Sequence, residues 1–263
     1  MACPEPDGYC PVVALRLLGC LAALAIACGQ AATLAEPSPT ELLQKASTNL
    51  KDAKTAHIDG TGSFALTSGL SLSFDFKMSG DVEMPDKSRL ATEMSVLGQS
   101  LSVDTITIGG RTFSKGLIGS GWTVTAANDP QGAMLDPLGQ TDLSAVATVT
   151  EVDRPVVDGR KTRHLSYSID QAKLAEKMKA AQTATTASVD VSNATAKGEI
   201  WIRTEDNQIV RQLVTISMDM AGDLGIPGAS PASSKSTLAM SFDLKFTHLG
   251  EPVSPAIAAP PTQ

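Results

Sequence analysis

LSLSFDFKM, residues 70–78, alternates without a fault. Leu70, Leu72, Phe74, Phe76 and Met78 fall on one side of an extended chain, and Ser71, Ser73, Asp75 and Lys77 on the other. Successive side chains of a β-strand point to opposite faces, so a period of two means a strand with one buried and one wet face. Wound into a helix, the same apolar letters would be scattered around the whole circumference. LAMSFDLKF, residues 238–246, repeats the pattern. The shared letters admit an internal duplication or two strands meeting the same half-buried requirement. Nothing flanking them repeats, which favours the second reading.

Working outward, residues 57–66, 88–97 and 101–108 continue the alternation. Gly109-Gly110 reads as a hairpin turn into RTFSK, 111–115, and the tip 116–121 leads to Trp122-Thr123-Val124. Strands resume after a non-strand interval over 128–147, with Val157-Asp158-Gly159-Arg160 as a turn. GEIWIR, 198–203, and IVRQLVTISMDM, 209–220, form a hairpin across Glu205-Asp206-Asn207. Residues 183–195 read as a loop or irregular edge, and 222–236 as a flexible loop.

Helix signals are few. Ser38-Pro39-Thr40-Glu41 offers a cap, a proline in the first turn and an acidic residue at the positive helix end. Leu42, Leu43, Ala46, Leu50 and Ala53 then recur at helical spacing. Asp170 caps a second helix, QAKLAEKMKAAQ, over 171–182. About ten strands and two or three helices in one domain, residues 40–250, define an α+β class. It is an antiparallel sheet with helices on one face.

The N-terminal region has a different purpose. Leu17 to Ala27 is apolar, too short for the ~20 residues that span a bilayer, and suits a secretory signal. One positive charge and two acidic residues precede this run, an unusual start, and one reading places the true start near Val12 or Val13. Leu24-Ala25-Ile26-Ala27-Cys28 resembles a bacterial lipobox, in which the cysteine is acylated and becomes the mature N-terminus. The alternative is an ordinary signal peptide that happens to contain Cys28. The division is then signal peptide 1–27, lipidated Cys28 with a flexible tether to residue 39, the domain 40–250, and a proline-rich tail, 251–263. All four cysteines lie in the first 28 residues, so no disulfide framework is expected in the domain.

Composition excludes several functions. The net charge is −7, and no basic run is present to bind nucleic acid or an anionic membrane surface. His57, His164 and His248 lie far apart in sequence, each without a metal-spaced partner, and no nucleophile or phosphate-loop motif occurs. No catalytic residue, metal or cofactor is expected. What remains is the apolar face. By alternation its cavity side would carry Leu70, Leu72, Phe74, Phe76, Met78, Met94, Val96, Ile200, Ile202, Met218, Leu238, Met240 and Phe242. Either a few short helices fill the space above it, or they lean away and leave an apolar cavity. Methionines such as Met78, Met94, Met218, Met220 and Met240 adapt to flexible ligands, and equally well fill a plain core.

Several segments together resemble one family. They are Thr55-Ala56-His57-Ile58 after the first helix, Phe113-Ser114-Lys115 through Trp122, and Val157-Asp158-Gly159-Arg160-Lys161-Thr162-Arg163-His164. Gly198-Glu199-Ile200-Trp201-Ile202 through Val210-Arg211, and Leu249-Gly250-Glu251-Pro252-Val253, complete the set. Their order and the lipobox resemble the LppX/LprG group of envelope lipoproteins, related in fold to LolA and LolB. One departure is Phe113, where the group has tyrosine. The resemblance implies a strongly curved antiparallel β-sheet, a half-barrel, with helices packed on its concave face. It implies a carrier, not an enzyme, lipid-anchored on the extracytoplasmic face of the cell membrane. Its partners would be an acyl lipid or glycolipid, the membrane through lipidated Cys28, and a membrane transporter. The competing function is a structural or sensing envelope lipoprotein, an adaptor with a filled core.

The anchor is directly testable. In a bacterial host that processes lipoproteins, labelled palmitate should enter the mature chain, and Cys28→Ala should yield unlabelled protein released from membranes. Label retained by Cys28→Ala would sink the lipobox reading.

Overall fold

The computed structural model describes residues 36–67, 71–96, 98–116, 121–126, 146–172, 190–221 and 236–261. Cys28, most of the tether, Leu70, the interval 128–145, the 171–182 helix beyond Ala172 and the loop 222–235 lie outside the described residues. The chain divides into Met1–Pro37 and Ser38–Gln263, and the second unit carries the sheet.

Helix α1, Pro39–Ala53, begins as its sequence predicts. The Ser38 side chain accepts from the Glu41 N–H, the Glu41 carboxylate accepts from the Ser38 N–H at 2.8 Å, and Pro39 occupies the first turn. Those bonds hold the Glu41 carboxyl below its ordinary value. At the other end Lys54 takes a left-handed conformation and caps onto the Lys51 carbonyl. Fifteen residues make a marginal helix in water. Burial of Leu42, Leu43 and Leu50, about 1.5–3 kcal/mol each, is what holds it.

Strands follow in a meander: β1 Thr55–Thr67, β2 Ser71–Glu83, β3 Lys87–Val96, β4 Gln99–Ile108, β5 Arg111–Lys115 and β6 Thr123–Ala126. Then come β7 Val146–Asp153, β8 Val156–Val157, β9 Arg160–Ile169, β10 Asp190–Arg203, β11 Ile209–Ala221 and β12 Ser236–Thr247. The sheet is open and curved, in the order β6-β5-β4-β3-β2-β1-β12-β11-β10-β9-β7, with β8 paired to β9. Every pairing among the described residues is antiparallel. Positive φ at both Gly109 and Gly110, and at Asp158 and Gly159, makes the two tight hairpins that the sequence predicts.

Two differences from the sequence reading stand out. The described residues contain twelve strands, where about ten are expected, while the expected helix over 171–182 lies almost wholly outside them. Residues 190–195 are also the start of β10, an interior strand, not a loop. Ala194 and Ala196 face the core there, and a register shift between Ser192 and Thr195 breaks the alternation. Alanines and a bulge leave little hydrophobic signal to read.

One face of the sheet carries the core, and it is called the inner face here. Across it run Ile58 beside Phe246, Phe64 beside Met240, and Leu66 beside Leu238. Helix α1 packs near β7 and β11, adding Leu42, Leu43, Ala46 and Leu50 to that core. The turns 84–86, 109–110 and 204–208 gather at the same end of the sheet as the α1 C-terminus. The opposite, far end receives Thr67, Ser71, Ile169, Asp190, Ala221 and Ser236. Among the described residues no helix is long and apolar enough to cross a membrane.

Gly62 sets the height of the inner face at its centre. The Phe76 ring packs against it, so a Cβ there would sit 2.2 Å from a ring carbon and 2.7 Å from the Ser241 carbonyl oxygen. Gly62→Ala should therefore destabilise the fold by about 1–3 kcal/mol in urea unfolding. Adding Phe76→Leu should recover part of that loss, and strictly additive effects would show that the ring is not what Gly62 accommodates.

Candidate functional site

Register decides which residues share the inner face. One row is Leu72, Leu66, Leu238, Met218. The next is Phe74, Phe64, Met240, Ile216, and the next Phe76, Gly62, Phe242, Val214, Gly198, Tyr167. Met78, Met94, Ile200 and Ile202 lie on the same face. Of the residues expected to line a cavity, Leu70 lies outside the described residues, as does the side chain of Val96. Ile200, Ile202, Leu238, Phe242, Met218, Met78 and Met240 are buried. Leu72, Phe74, Phe76 and Met94 are half-buried. Phe64 stacks on Phe74 at 4.9 Å between centroids, and Phe76 meets Phe242 edge-on at 5.7 Å. Alternation signalled this face; what it missed were Phe64, Leu66, Val214 and Ile216, which alternate equally well.

The inner face changes chemistry towards its edges. On β3, β4 and β5 it carries Ser88, Thr92, Thr105, Thr112 and Ser114, all buried hydroxyls. On the other side, Arg163 of β9 reaches Glu151 of β7 with an N···O distance of 2.5 Å. The Arg163 hydrogen bond outweighs burial and holds the Glu151 carboxyl below its ordinary value.

The outer face holds the charged and aromatic clusters. Trp201 of β10 is sandwiched between residues of its two neighbouring strands. His164 stacks on it at 4.2 Å and 8°, and the Arg211 guanidinium lies 4.7 Å from its ring centroid. Arg211 is fixed in turn by Asp243, which accepts at 2.8 and 2.6 Å. His164 Nδ1 lies 2.9 Å from Asp153. Thus the histidine, tryptophan and arginine of two sequence motifs meet in one stack that ties β9, β10 and β11 together.

A second outer cluster superficially resembles a hydrolytic triad. His57 Nδ1 lies 2.8 Å from Asp81, and Ser79 Oγ lies 3.4 Å from His57 Nε2. The hydroxyl, however, donates to Asp59 at 2.8 Å, and the strand positions around it commit their backbone N–H groups to the ladders. Neither an activated nucleophile nor oxyanion donors result. Asp81 instead anchors Arg89 at 2.6 Å, and Arg89 donates to the Pro255 carbonyl at 3.1 Å. That bond, with buried Ile257, seats residues 251–261 against the sheet. A groove of about 570 Å³ also opens on the outer face, lined by Thr61, Ser63, Asp75, Lys77, Glu93 and Asp243 among others. Its lining is mixed, and besides these polar residues it includes Leu213 and two of the residues expected to line the cavity, Phe76 and Met94. Among the described residues no group of His, Cys, Asp and Glu is arranged to hold a metal ion.

Asp81 makes stability depend on acid. Burial raises its pKa, but hydrogen bonds and charge from His57 and Arg89 outweigh that and leave it lowered from 3.8. A carboxyl with a depressed folded-state pKa stabilises the fold above the unfolded value and loses that contribution as pH falls through the folded value. Stability should therefore decline below about pH 4, and Asp81→Asn should flatten that part of the profile. An unchanged acid limb in urea titrations of Asp81→Asn would refute the role.

No family model matches the chain, and no curated protein does. Among solved structures it is similar to LprF from Mycobacterium bovis, 18% identical over 85% of this chain and 98% of that one, with a TM-score of 0.44. It is similar to the lipoprotein LppX from Mycobacterium tuberculosis, 16% identical over 82% and 99%, TM-score 0.43. A LolA superfamily protein from Nitrosomonas europaea is 8% identical over 80% and 93%, TM-score 0.30. At these identities and TM-scores the likeness carries no statement about what the chain binds. LppX and the LolA superfamily are also named by the resemblance of the sequence motifs; LprF is not.

Proposed function

We propose that this chain is a lipid-binding protein of the cell envelope. Lipidated Cys28 anchors it on the extracytoplasmic face of the membrane, the tether to residue 39 gives it reach, and the domain 40–250 holds acyl chains or a glycolipid against its inner face. The observation that carries the reading is the uneven cover of that face. Ile58, Ile200, Ile202, Leu238, Met218 and Leu244 are buried, whereas Phe64 of β1, Leu72, Phe74 and Phe76 of β2 and Met94 of β3 stay half-buried. Each methylene taken from water by such a surface contributes about 0.8 kcal/mol, so a bound chain and the apolar face satisfy each other. The buried Thr105 hydroxyl of β4, which has no partner among the described residues, offers an uncharged one to a polar group of the lipid. In this reading the 171–182 helix adds cover on the concave side. Asp170 Oδ1, which accepts from the Ala172 N–H at 2.8 Å, would be its cap. The role is binding and transfer, with a membrane transporter as donor or acceptor, and no catalysis.

Native mass spectrometry of the mature chain carrying Cys28→Ala provides the test. Co-purifying or added acyl lipid should remain bound. Phe242→Trp or Met240→Trp should reduce lipid uptake severalfold with little loss of stability, because the added ring fills open space. If no lipid is ever bound and the same substitutions cost the 1–3 kcal/mol typical of overpacking, the inner face is a solid core. The adaptor function then replaces the carrier.

A further inference from the structure

One polar pair interrupts the apolar inner face, and the lipid reading as stated does not use it. Gln212 of β11 has no exposed surface at all, and its Nε2 donates to the Tyr167 hydroxyl of β9 at 2.8 Å. The two residues come from strands separated by β10. Gly198 of β10 is what lets them meet: a Cβ there would lie 2.5 Å from the Tyr167 hydroxyl oxygen and 2.4 Å from the Leu213 carbonyl oxygen. The phenol thus lies across the glycine, over the strand between. Leu165, Ile200, Val214 and Leu244, all buried, adjoin the pair in the sheet.

The pair leaves hydrogen-bonding capacity unused. Gln212 Oε1 is buried with no donor. Tyr167 keeps its proton, since burial pushes its pKa up to about 12, and among the described residues that proton has no acceptor. A buried polar atom without a partner costs free energy, and a natural core rarely tolerates one unless something else supplies the bond. With the amide nitrogen and oxygen of Gln212 exchanged, Oε1 accepts from the Tyr167 O–H, and the two amide N–H donors and the tyrosine oxygen are left to serve the same bound hydroxyl.

We infer that Gln212 and Tyr167 form a subsite for a neutral hydroxyl group carried by the buried part of a bound acyl lipid. The inference rests on the lipid-binding reading and narrows its ligand. A hydroxyl oxygen accepts from the Tyr167 O–H and donates to Gln212 Oε1 from a single atom, which matches two groups one hydrogen bond apart. A methylene satisfies neither. An ester carbonyl accepts from tyrosine and leaves the glutamine oxygen unpaired. A secondary amide points its donor and acceptor in opposite directions. A carboxylate or ammonium would bring an unpaired charge into an apolar site, at a much higher cost.

The experiment uses the mature chain carrying Cys28→Ala and a series of saturated fatty acyl methyl esters. Each bears one hydroxyl, at successive positions along the chain, and competes with the unsubstituted ester. At least one hydroxylated ester should bind about tenfold more tightly than the unsubstituted one, the value of one to two buried hydrogen bonds. In Tyr167→Phe and in Gln212→Leu that ratio should fall to about one. Gln212→Met, unbranched like glutamine, provides a second probe should Gln212→Leu fail to fold. Equal binding of every ester by the unaltered protein, or a preference that survives both substitutions, would overturn this inference alone. Binding of no ester would overturn the lipid-binding reading and this inference with it.

Discussion

The pairing of β1 with β12 is the contact on which the rest of the structure depends. Eleven registered pairs, from His57 beside Thr247 to Thr67 beside Thr237, join strands from opposite ends of the domain. On one side lies the meander β1 to β6, and on the other β12 to β7. Each meander alone would expose half of an apolar face and an unprotected edge. Their junction puts Phe64 beside Met240 and Gly62 beside Phe242, and only then does one continuous inner face exist. The closure entropy of so long a loop must be recovered by that burial. LSLSFDFKM and LAMSFDLKF look alike for a related reason. They are the two neighbours of β1, in β2 and β12. Yet their matching letters are offset by two residues from their spatial match, for Phe76, not Phe74, stands level with Phe242 across Gly62. Two strands have met the same requirement on either side of a common partner.

The two faces divide their tasks. The residues that make the sequence recognisable serve the frame: His164, Trp201 and Arg211 interlock three strands on the outer face. Gly250, from the last motif, donates its N–H to the Thr55 carbonyl at 3.0 Å, where α1 turns into β1. A directional stack or a positive-φ turn tolerates few residue types, so it leaves a readable motif. Acyl chains ask only for apolar surface of suitable shape, which many combinations of Leu, Ile, Met and Phe supply. If the inner face serves as proposed, it needs no motif, and the motifs speak for the fold alone.

Within that face, chemistry is zoned by strand. Apolar side chains occupy the centre, hydroxyls line β3 to β5, and an ion pair sits towards the β7 edge. Cover is zoned by strand as well, close over β10 to β12 and partial over Phe64, Leu72, Phe74, Phe76 and Met94 of β1 to β3. A ligand that is apolar along most of its length, with uncharged polar groups, fits such a surface better than a charged one does. Gln212 and Tyr167 add a polar point inside the apolar zone, held in place by the glycine between them.

The sequence alone determined whatever depends on neighbours along the chain. The capped start of α1, the tight turns at 109–110 and 158–159, and the wet and dry sides of β2 and β12 all follow from a few consecutive residues. Where the local signal was weak, as in the alanine-rich, bulged start of β10, a strand looked like a loop. Which strands lie side by side is a different kind of fact. That His57, Asp81 and Arg89 form one cluster, or that Tyr167 reaches Gln212, depends on register across several strands, and no local period encodes it. Register is fixed by burying one whole face at once, because a slip of one residue would turn every apolar side chain outward. That choice belongs to the assembled sheet, and it decides which scattered residues become a site.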